Sequence, residues 1–464
     1  MSIRIYDNAT EPTLTNALID KGGWKQAGPK FGTNGYLDLA EKIRLTWMDL
    51  DDDTRAAILR DFGKLSRKAV ITNSPERPEY YDRAKAVVLE AKTPTEGQAR
   101  YAMLRSLVAP QLHQWHQASA RPLYLDLELE REGLWRGVAP GAVGDEVISE
   151  TVQNYTYQTN RNYVTIAPDA IPGDAPALAK IHVTTTVPGE QAAGSRLWLM
   201  RKLSPSLTEL NAFNPYFWMV SATNTPTTTV ATATPLNGFG PAAIPGDRLA
   251  DHANTDSGTI TYNWAINNNL AAYAGTYGVW VVYRCQVANG GQVYVDHGWG
   301  TGNPTNSLGK IFLPSQNTLD FWNYLYLGEI RMPPGGMING VAPAFFGSYA
   351  ISLRLSGGHP TTPYRSQVAG FLLQPIDDQV YQANQAGWQF ADGDLRRSWQ
   401  TNAAGTTFTA ANLQAEGDYI EVEPGYYNRI YINTTGPFFS MGVTYTVKVS
   451  IIPRYQYLRG NETW

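Results

Sequence analysis

Leu123, Leu125, Leu127 and Leu129 occupy every second position of one short stretch, and Tyr124, Asp126, Glu128 and Glu130 fill the positions beside them. Side chains on a strand point alternately to its two faces, so the stretch reads as a strand with one apolar and one acidic face. A helix would scatter the four leucines around its circumference. A face of that kind has to be covered, which demands a sheet and a second layer. Leu37, Leu39, Ile43, Leu45 and Trp47 alternate with Asp38, Lys42, Arg44 and Thr46 and give a second amphipathic strand.

The covering layer is legible between these two strands. Asp51-Asp52-Asp53-Thr54 reads as a helix start, because acidic groups there cap free N–H groups and favour the positive end of the dipole. Ile58, Phe62, Leu65 and Ala69 recur at helical spacing and form one apolar stripe. Gly63 weakens the helix by roughly 1 kcal/mol relative to Ala. Arg67 and Lys68 are expected in the last turn, before Pro75 and Pro78 end the helix. Residues 3–6 and 81–90 read as strands, and 98–108 as either strand or short helix. Together these form a small α+β unit.

Composition enters at the end of this unit. The chain has 464 residues, too many for one ordinary core. Of its 78 charged residues, 39 lie in the first 140 positions, and charge density then falls more than twofold. Residues 1–140 are therefore read as one α+β domain and residues 141–464 as a second, larger one. Candidate strands in the second part include 163–166, 179–187, 196–202, 216–220, 277–287, 292–296, 321–330, 348–355, 369–373, 420–423, 428–432 and 445–452. Asn289-Gly290 between two of them reads as a hairpin turn. The Thr/Ala/Pro tract at 221–236 reads as an exposed loop or a weak edge strand. The expected fold class is mainly β: a small N-terminal α+β unit followed by a β-sandwich of jelly-roll type.

No catalytic constellation accompanies this pattern, and the chain is read as non-enzymatic and without a cofactor. G-x-S-x-G, H-E-x-x-H, a phosphate-binding loop and paired-cysteine zinc spacing are absent from the sequence. His113 and His116 lie three apart without completing ligands. Asp296 and His297 are neighbours on a strand and point to opposite faces, so the aspartate does not orient the imidazole. Asp377-Asp378 and the pair Asp392/Asp394 read as solvated turns in preference to calcium sites. Cys285, the single cysteine, sits in a strand-like context. A net charge of -4 gives no pull toward nucleic acid, and no apolar run reaches membrane-spanning length. The first residues lack a secretory pattern, which places folding in the cytoplasm. Of the 13 Trp residues, Trp299 and Trp388 lie in Gly-rich surroundings and are the candidates for exposed glycan or interface contacts.

Several stretches taken together resemble the distal tail protein family of long-tailed bacteriophages. They are Leu50-Asp-Asp-Asp-Thr-Arg-Ala-Ala-Ile-Leu-Arg, the run from Leu123 to Gly137, Ile171-Pro-Gly-Asp-Ala-Pro-Ala-Leu-Ala-Lys-Ile, Glu423-Pro-Gly-Tyr-Tyr-Asn-Arg-Ile-Tyr-Ile, and Ile452-Pro-Arg-Tyr. The resemblance implies a virion structural protein of the tail tip, assembled in the host cytoplasm. It implies a split-barrel-like N-terminal domain that forms a ring, a hexamer, joining the tail tube to the baseplate hub or fibres. A galectin-like sandwich would project outward. In that setting Tyr124, Asp126, Glu128 and Glu130 are read as the inter-subunit strand, with the dense mixed charge of residues 1–140 setting register between copies. The alternative reading is a carbohydrate-binding module that recognises host surface glycans. The galectin-type Trp-Gly-x-Glu pattern is absent, since Trp299-Gly300 is followed by Thr301 and Gly302.

Overall fold

The computed structural model describes residues 2–12, 14, 17–24, 27–28, 30–32, 35–47, 50–72, 85–92, 99–108, 123–137, 149–156, 163–171, 173–185, 196–218, 250–253, 259–266, 270–285, 292–299, 306–312, 323–332, 349–356, 365–376, 380–384, 389–401, 408–409, 415–434 and 444–458. The chain opens with β1 (Ser2–Tyr6), β2 (Leu18–Trp24), the two-residue pair β3 (Phe31–Gly32) and β4 (Gly35–Tyr36), and β5 (Leu39–Trp47). Helix α1 (Asp52–Thr72) follows, then β6 (Val87–Lys92), β7 (Arg100–Leu107), β8 (Leu123–Arg131) and β9 (Trp135–Gly137). Of the stretch 98–108, open between strand and helix in the sequence, Arg100–Leu107 is strand.

These strands form a sheet in the order β1-β6-β7-β8-β5-β2, with β9 beside β7. The alternation in β8 and, from Leu39 onward, in β5 holds: Leu125, Leu127, Leu129, Leu39, Ile43 and Leu45 are buried, whereas Leu37 lies ahead of β5 and is 48% exposed. Helix α1 packs against β6 and β7 and contributes its whole stripe, Ile58, Phe62, Leu65 and Ala69, to the same core. Asp51 caps it, its carboxylate accepting from the Thr54 backbone N–H at 2.7 Å and from the Thr54 hydroxyl at 2.6 Å. The helix runs on to Thr72, so Arg67 and Lys68 lie a turn before its end, and no basic residue occupies the last turn. Lys68 instead pairs with Asp7 at 2.8 Å.

Beyond 140 the described chain is almost entirely antiparallel sheet. β10 (Ser149–Thr156), β11 (Tyr163–Ile166), β12 (Ala177–Thr185) and β13 (Arg196–Ser204) come first. Helix α2 (Leu207–Ala212) follows, started by a Ser206 side chain that accepts from the Glu209 N–H. Next come β14 (Tyr216–Trp218), β15 (Ala250–Ala253), β16 (Thr259–Ile266), β17 (Gly275–Cys285), β18 (Gln292–Trp299), β19 (Asn306–Phe312), β20 (Asn323–Met332), β21 (Tyr349–Ser356) and β22 (Arg365–Pro375). The last group is β23 (Val380–Asn384), β24 (Gln389–Asp392), β25 (Arg397–Thr401), β26 (Phe408–Thr409), β27 (Ala415–Gly417), β28 (Glu421–Val422), β29 (Tyr427–Thr434), β30 (Thr444–Ile451) and β31 (Arg454–Tyr455).

Two of the sheets are built from the first and last of these strands. One runs β10-β30-β12-β24-β25-β26, with β28 on β12, and the other runs β11-β29-β13-β23-β27. Ile181, Val183, Val447 and Val449 of the first sheet share a core with Val164, Leu199, Ile430 and Ile432 of the second. The pair is therefore a sandwich. Everything from α2 to β22 lies between β13 and β23, which are themselves neighbours in the sheet. That intervening chain forms two more antiparallel sheets, β14-β22-β17-β20 with β15 on β22, and β16-β21-β18-β19. The strands flanking Asn289-Gly290 do not pair with each other. β17 joins the first of these sheets and β18 the second, so the expected hairpin is replaced by a crossing between sheets. Turn-forming residues fix where a chain reverses, not which strand it pairs with next. The tract 221–236 lies outside the described residues.

The C-terminus returns to the beginning. β31 pairs with β9 in the N-terminal sheet, and Leu458 is buried in the core beneath it. Arg100 stacks its guanidinium over the Tyr455 ring at 3.5 Å.

Candidate interaction surface

β5 pairs with β8 along its whole length and β7 pairs with its other edge from Leu129 to Arg131, and the outward face of the β5–β8 pair carries the charges. On that face the register sets Lys42 opposite Glu128, Arg44 opposite Asp126 and Thr46 opposite Tyr124. Lys42 Nζ lies 3.1 Å from Glu128 Oε1 and 3.6 Å from Asp126 Oδ2. Arg44 grips Asp126 with two hydrogen bonds, of 2.7 and 3.0 Å. The Arg44 hydrogen bonds hold the Asp126 carboxyl below its usual range, and the bond that Lys42 donates to Glu128 raises Lys42. Glu130 lies across from Ala40.

Apolar side chains border this charge ladder. Tyr124 is 59% exposed and Leu18, across Thr46 on β2, is 58% exposed. Val108, whose N–H donates to the Glu128 carbonyl, is 54% exposed. The four residues read from the sequence, Tyr124, Asp126, Glu128 and Glu130, thus share one face within a mixed polar and apolar surface. A second exposed apolar pair, Val70 and Ile71, sits at the end of α1.

A second charge cluster is hidden. Arg136 on β9 donates to Glu132 through Nε and one terminal nitrogen, at 2.9 to 3.1 Å, and to Asp394 at 3.0 Å. Arg454 on β31 reaches the same Asp394 oxygen at 2.6 Å and lies 3.5 Å from Glu132. Arg105 approaches Glu132 at 4.0 Å, and Lys180 on β12 approaches Asp394 at 4.0 Å. All four central residues are buried. Burial opposes ionisation of Glu132 and Asp394, yet the attraction of Arg136, and then Arg454, holds both carboxyls below their usual values. For Arg136, burial works against its charge while Glu132 and Asp394 raise it.

Asp394 comes from the tight turn between β24 and β25, inside the sandwich. Gly393 in that turn lies so close to β12 that an added Cβ would stand 2.8 Å from the Ala179 carbonyl oxygen, so only glycine fits. The cluster therefore ties the N-terminal sheet, the C-terminal strand and the sandwich together. The sequence reading of Asp392/Asp394 as a solvated turn is corrected here: both are buried and ion-paired. A second buried pair lies on the leucine face of β8, where Arg131 meets Glu41 at 2.8 Å and stacks over Trp135 at 4.4 Å. The Trp24 indole also donates to Glu41, at 2.9 Å.

The other sequence candidates scatter. Trp299 ends β18 with its backbone opposite Tyr349. Trp388, His113, His116, Asp377 and Asp378 lie outside the described residues. Asp296 and His297 are successive, half-buried positions of β18, and burial lowers the imidazole's proton affinity. In Glu423-Pro-Gly-Tyr-Tyr-Asn, Gly425 adopts a positive φ of 81°. The buried Asn428 side chain bridges this turn, accepting from the Glu423 N–H and donating to the Glu423 and Tyr426 carbonyls.

No family model matches the chain, and no curated protein matches it. Among solved structures, a carbohydrate-binding module in complex with β-1,4-galactotriose is 15% identical over 35% of this chain and 94% of its own, with a TM-score of 0.22. The phage p2 baseplate in its activated conformation is 9% identical over 78% of this chain and 99% of its own, with a TM-score of 0.16. Infectious bursal disease virus, Gt strain, is 9% identical over 67% and 81%, also with a TM-score of 0.16. At these TM-scores no function is read from any of the three.

Proposed function

We propose that the chain is a structural assembly protein of a long-tailed phage tail tip, whose N-terminal unit forms a homo-oligomeric ring. The observation that carries this is the outward face of β5 and β8. Exposed ion pairs contribute only about 0.2–1 kcal/mol each to stability. A ladder of them bordered by three exposed apolar side chains is poorly explained by folding and well explained by recognition. A closed ring uses head-to-tail contacts, so each copy needs two different patches. The unit offers the sheet face with Leu18, Val108 and Tyr124, and the end of α1 with Val70 and Ile71. The sequence resemblance supplies the setting: a hexamer in the virion, between tail tube and baseplate hub or fibres.

Sedimentation of the full chain tests this. The expected result is a discrete oligomer of ring stoichiometry, reduced to monomer by Tyr124→Lys or by Ile71→Lys, with the fold intact by circular dichroism. A full chain that stays monomeric up to high concentration defeats the reading.

A further inference from the structure

The core beneath the N-terminal sheet is closed from far along the chain. Among the described residues its buried members come from positions 3–135, with one exception, Leu458, which is 1% exposed. Tyr455 packs against the same core. The segment around them is tied to the N-terminal unit step by step. The Pro453 carbonyl accepts from the Gly137 N–H at 2.9 Å, β31 pairs with β9, and the Tyr457 carbonyl accepts from Arg100. Without this segment the short strand β9 would lose one of its two neighbours, and the core would hold a leucine-sized cavity.

The sandwich grips the other side of the same segment. The segment runs on from β30, which lies between β10 and β12 in its sheet. Just ahead of β12, the N–H groups of Asp174 and Ala175 donate to the Arg454 carbonyl at 3.0 and 3.2 Å. The Asp174 carboxylate accepts from the Gln456 N–H at 2.7 Å, and its carbonyl from the Gln456 side-chain amide at 3.2 Å. Gly173 has a φ of 112°, and an added Cβ there would collide with the Arg454 carbonyl oxygen, so only glycine fits. A segment this short does not order by itself. Strands already seated in the sandwich present it at high effective concentration to a sheet whose β9 precedes it by more than 300 residues. What it secures there leads to the recognition face: β7 begins at Arg100, pairs with β8 and runs into the exposed Val108.

We propose that residues 453–458 are a latch, presented by the folded sandwich, that completes the N-terminal sheet and makes it competent to bind a neighbouring copy. The competence for a neighbour rests on the ring reading; the coupling of sandwich to sheet does not. Hydrogen exchange on the full chain, with sedimentation in parallel, tests both. Leu458→Ala vacates the buried slot and should speed exchange in β7 and β9 by about thirtyfold or more, the effect of truncating one buried leucine. β13 and β29, in the sandwich, should stay as protected as in the parent. Gly173→Ala pushes on Arg454 from the sandwich side and should also open β7 and β9, so it decides the matter where Leu458→Ala does not fold. Gly425→Ala is the control: its φ is also positive, but nothing stands within 4 Å of an added Cβ, and β7 and β9 should not change. Both opened variants should sediment as smaller species than the parent. Unchanged protection of β7 and β9 in a folded Leu458→Ala or Gly173→Ala overturns the latch, as does an equal opening in Gly425→Ala. Opened variants that assemble as the parent does overturn its link to assembly. A parent that never assembles defeats the ring reading and that link with it, while the exchange rates still decide the coupling.

Discussion

Two sets of charges made of the same residue types, one on the N-terminal sheet and one where that sheet meets the sandwich, do opposite work. In the ladder on β5 and β8 the side chains are 36 to 60% exposed. In the cluster of Arg136, Arg454, Glu132 and Asp394 they are 2 to 8% exposed. Water screens the first set, so its members can exchange partners across an interface at little cost. The second set is cut off from water, where an unpaired charge is expensive. Its members are therefore committed to one another. Location, and not composition, separates a recognition surface from a lock.

The lock should give the largest effect. Asp394→Ala strips Arg136 and Arg454 of a shared partner while both stay buried, and about 3–5 kcal/mol of stability is expected to go. Denaturant unfolding of the full chain measures this. Because Asp394 joins sandwich to N-terminal sheet, hydrogen exchange should rise in β9 and β31 before it rises in β10 or β30. Equal loss of protection everywhere would show that the cluster does not couple the two.

Acid should separate the two sets next. A carboxyl held below its usual value binds a proton less readily folded than unfolded. Its stabilisation is complete above the unfolded value, about 4, and is lost as pH falls through the folded value. Glu132 and Asp394 are both held low. The unfolding midpoint should therefore change little on their account from neutral to mildly acidic pH and drop below about pH 4. In Asp394→Ala the acid fall should be shallower. Asp126→Ala should leave it nearly unchanged, since the exposed Asp126 pair is solvent-screened.

What the sequence made legible follows the reach of its periodicities. The alternation in β8 identified the buried leucines, and the spacing of Ile58, Phe62, Leu65 and Ala69 identified the buried side of α1, because both patterns are local. Pairing of β31 with β9 joins residues more than 300 positions apart, and nothing local announces it. The same holds for Asp394, which looks like any polar turn residue until the fold delivers it to Arg136. Asn289-Gly290 does lie between two strands, but β17 and β18 join different sheets, because partner choice was set by sheets formed elsewhere in the chain. One local reading gives a further, smaller prediction: the space beside Gly63 is empty of other atoms within 4 Å. Gly63→Ala should raise stability by about 1 kcal/mol in denaturant unfolding, without touching either charge set.

The smallest effect on stability, and the most informative for the comparison, belongs to the ladder. Arg44→Ala removes both hydrogen bonds to Asp126, yet for an exposed pair the loss should stay below about 1 kcal/mol. If the face is a meeting surface, the same change should shift the oligomer toward monomer far more than it shifts unfolding. Exposed charges farther apart than roughly 10 Å at 0.1 M salt are largely screened. Added salt should therefore loosen the assembly of the unaltered protein and have less effect on Arg44→Ala. The double change Arg44→Asp with Asp126→Arg keeps the pair but reverses its direction. Folding that survives the swap together with assembly that does not would show that the ladder is read by a neighbour. Assembly indifferent to the swap would reduce the ladder to ordinary solvated surface, and only the buried set would retain a role.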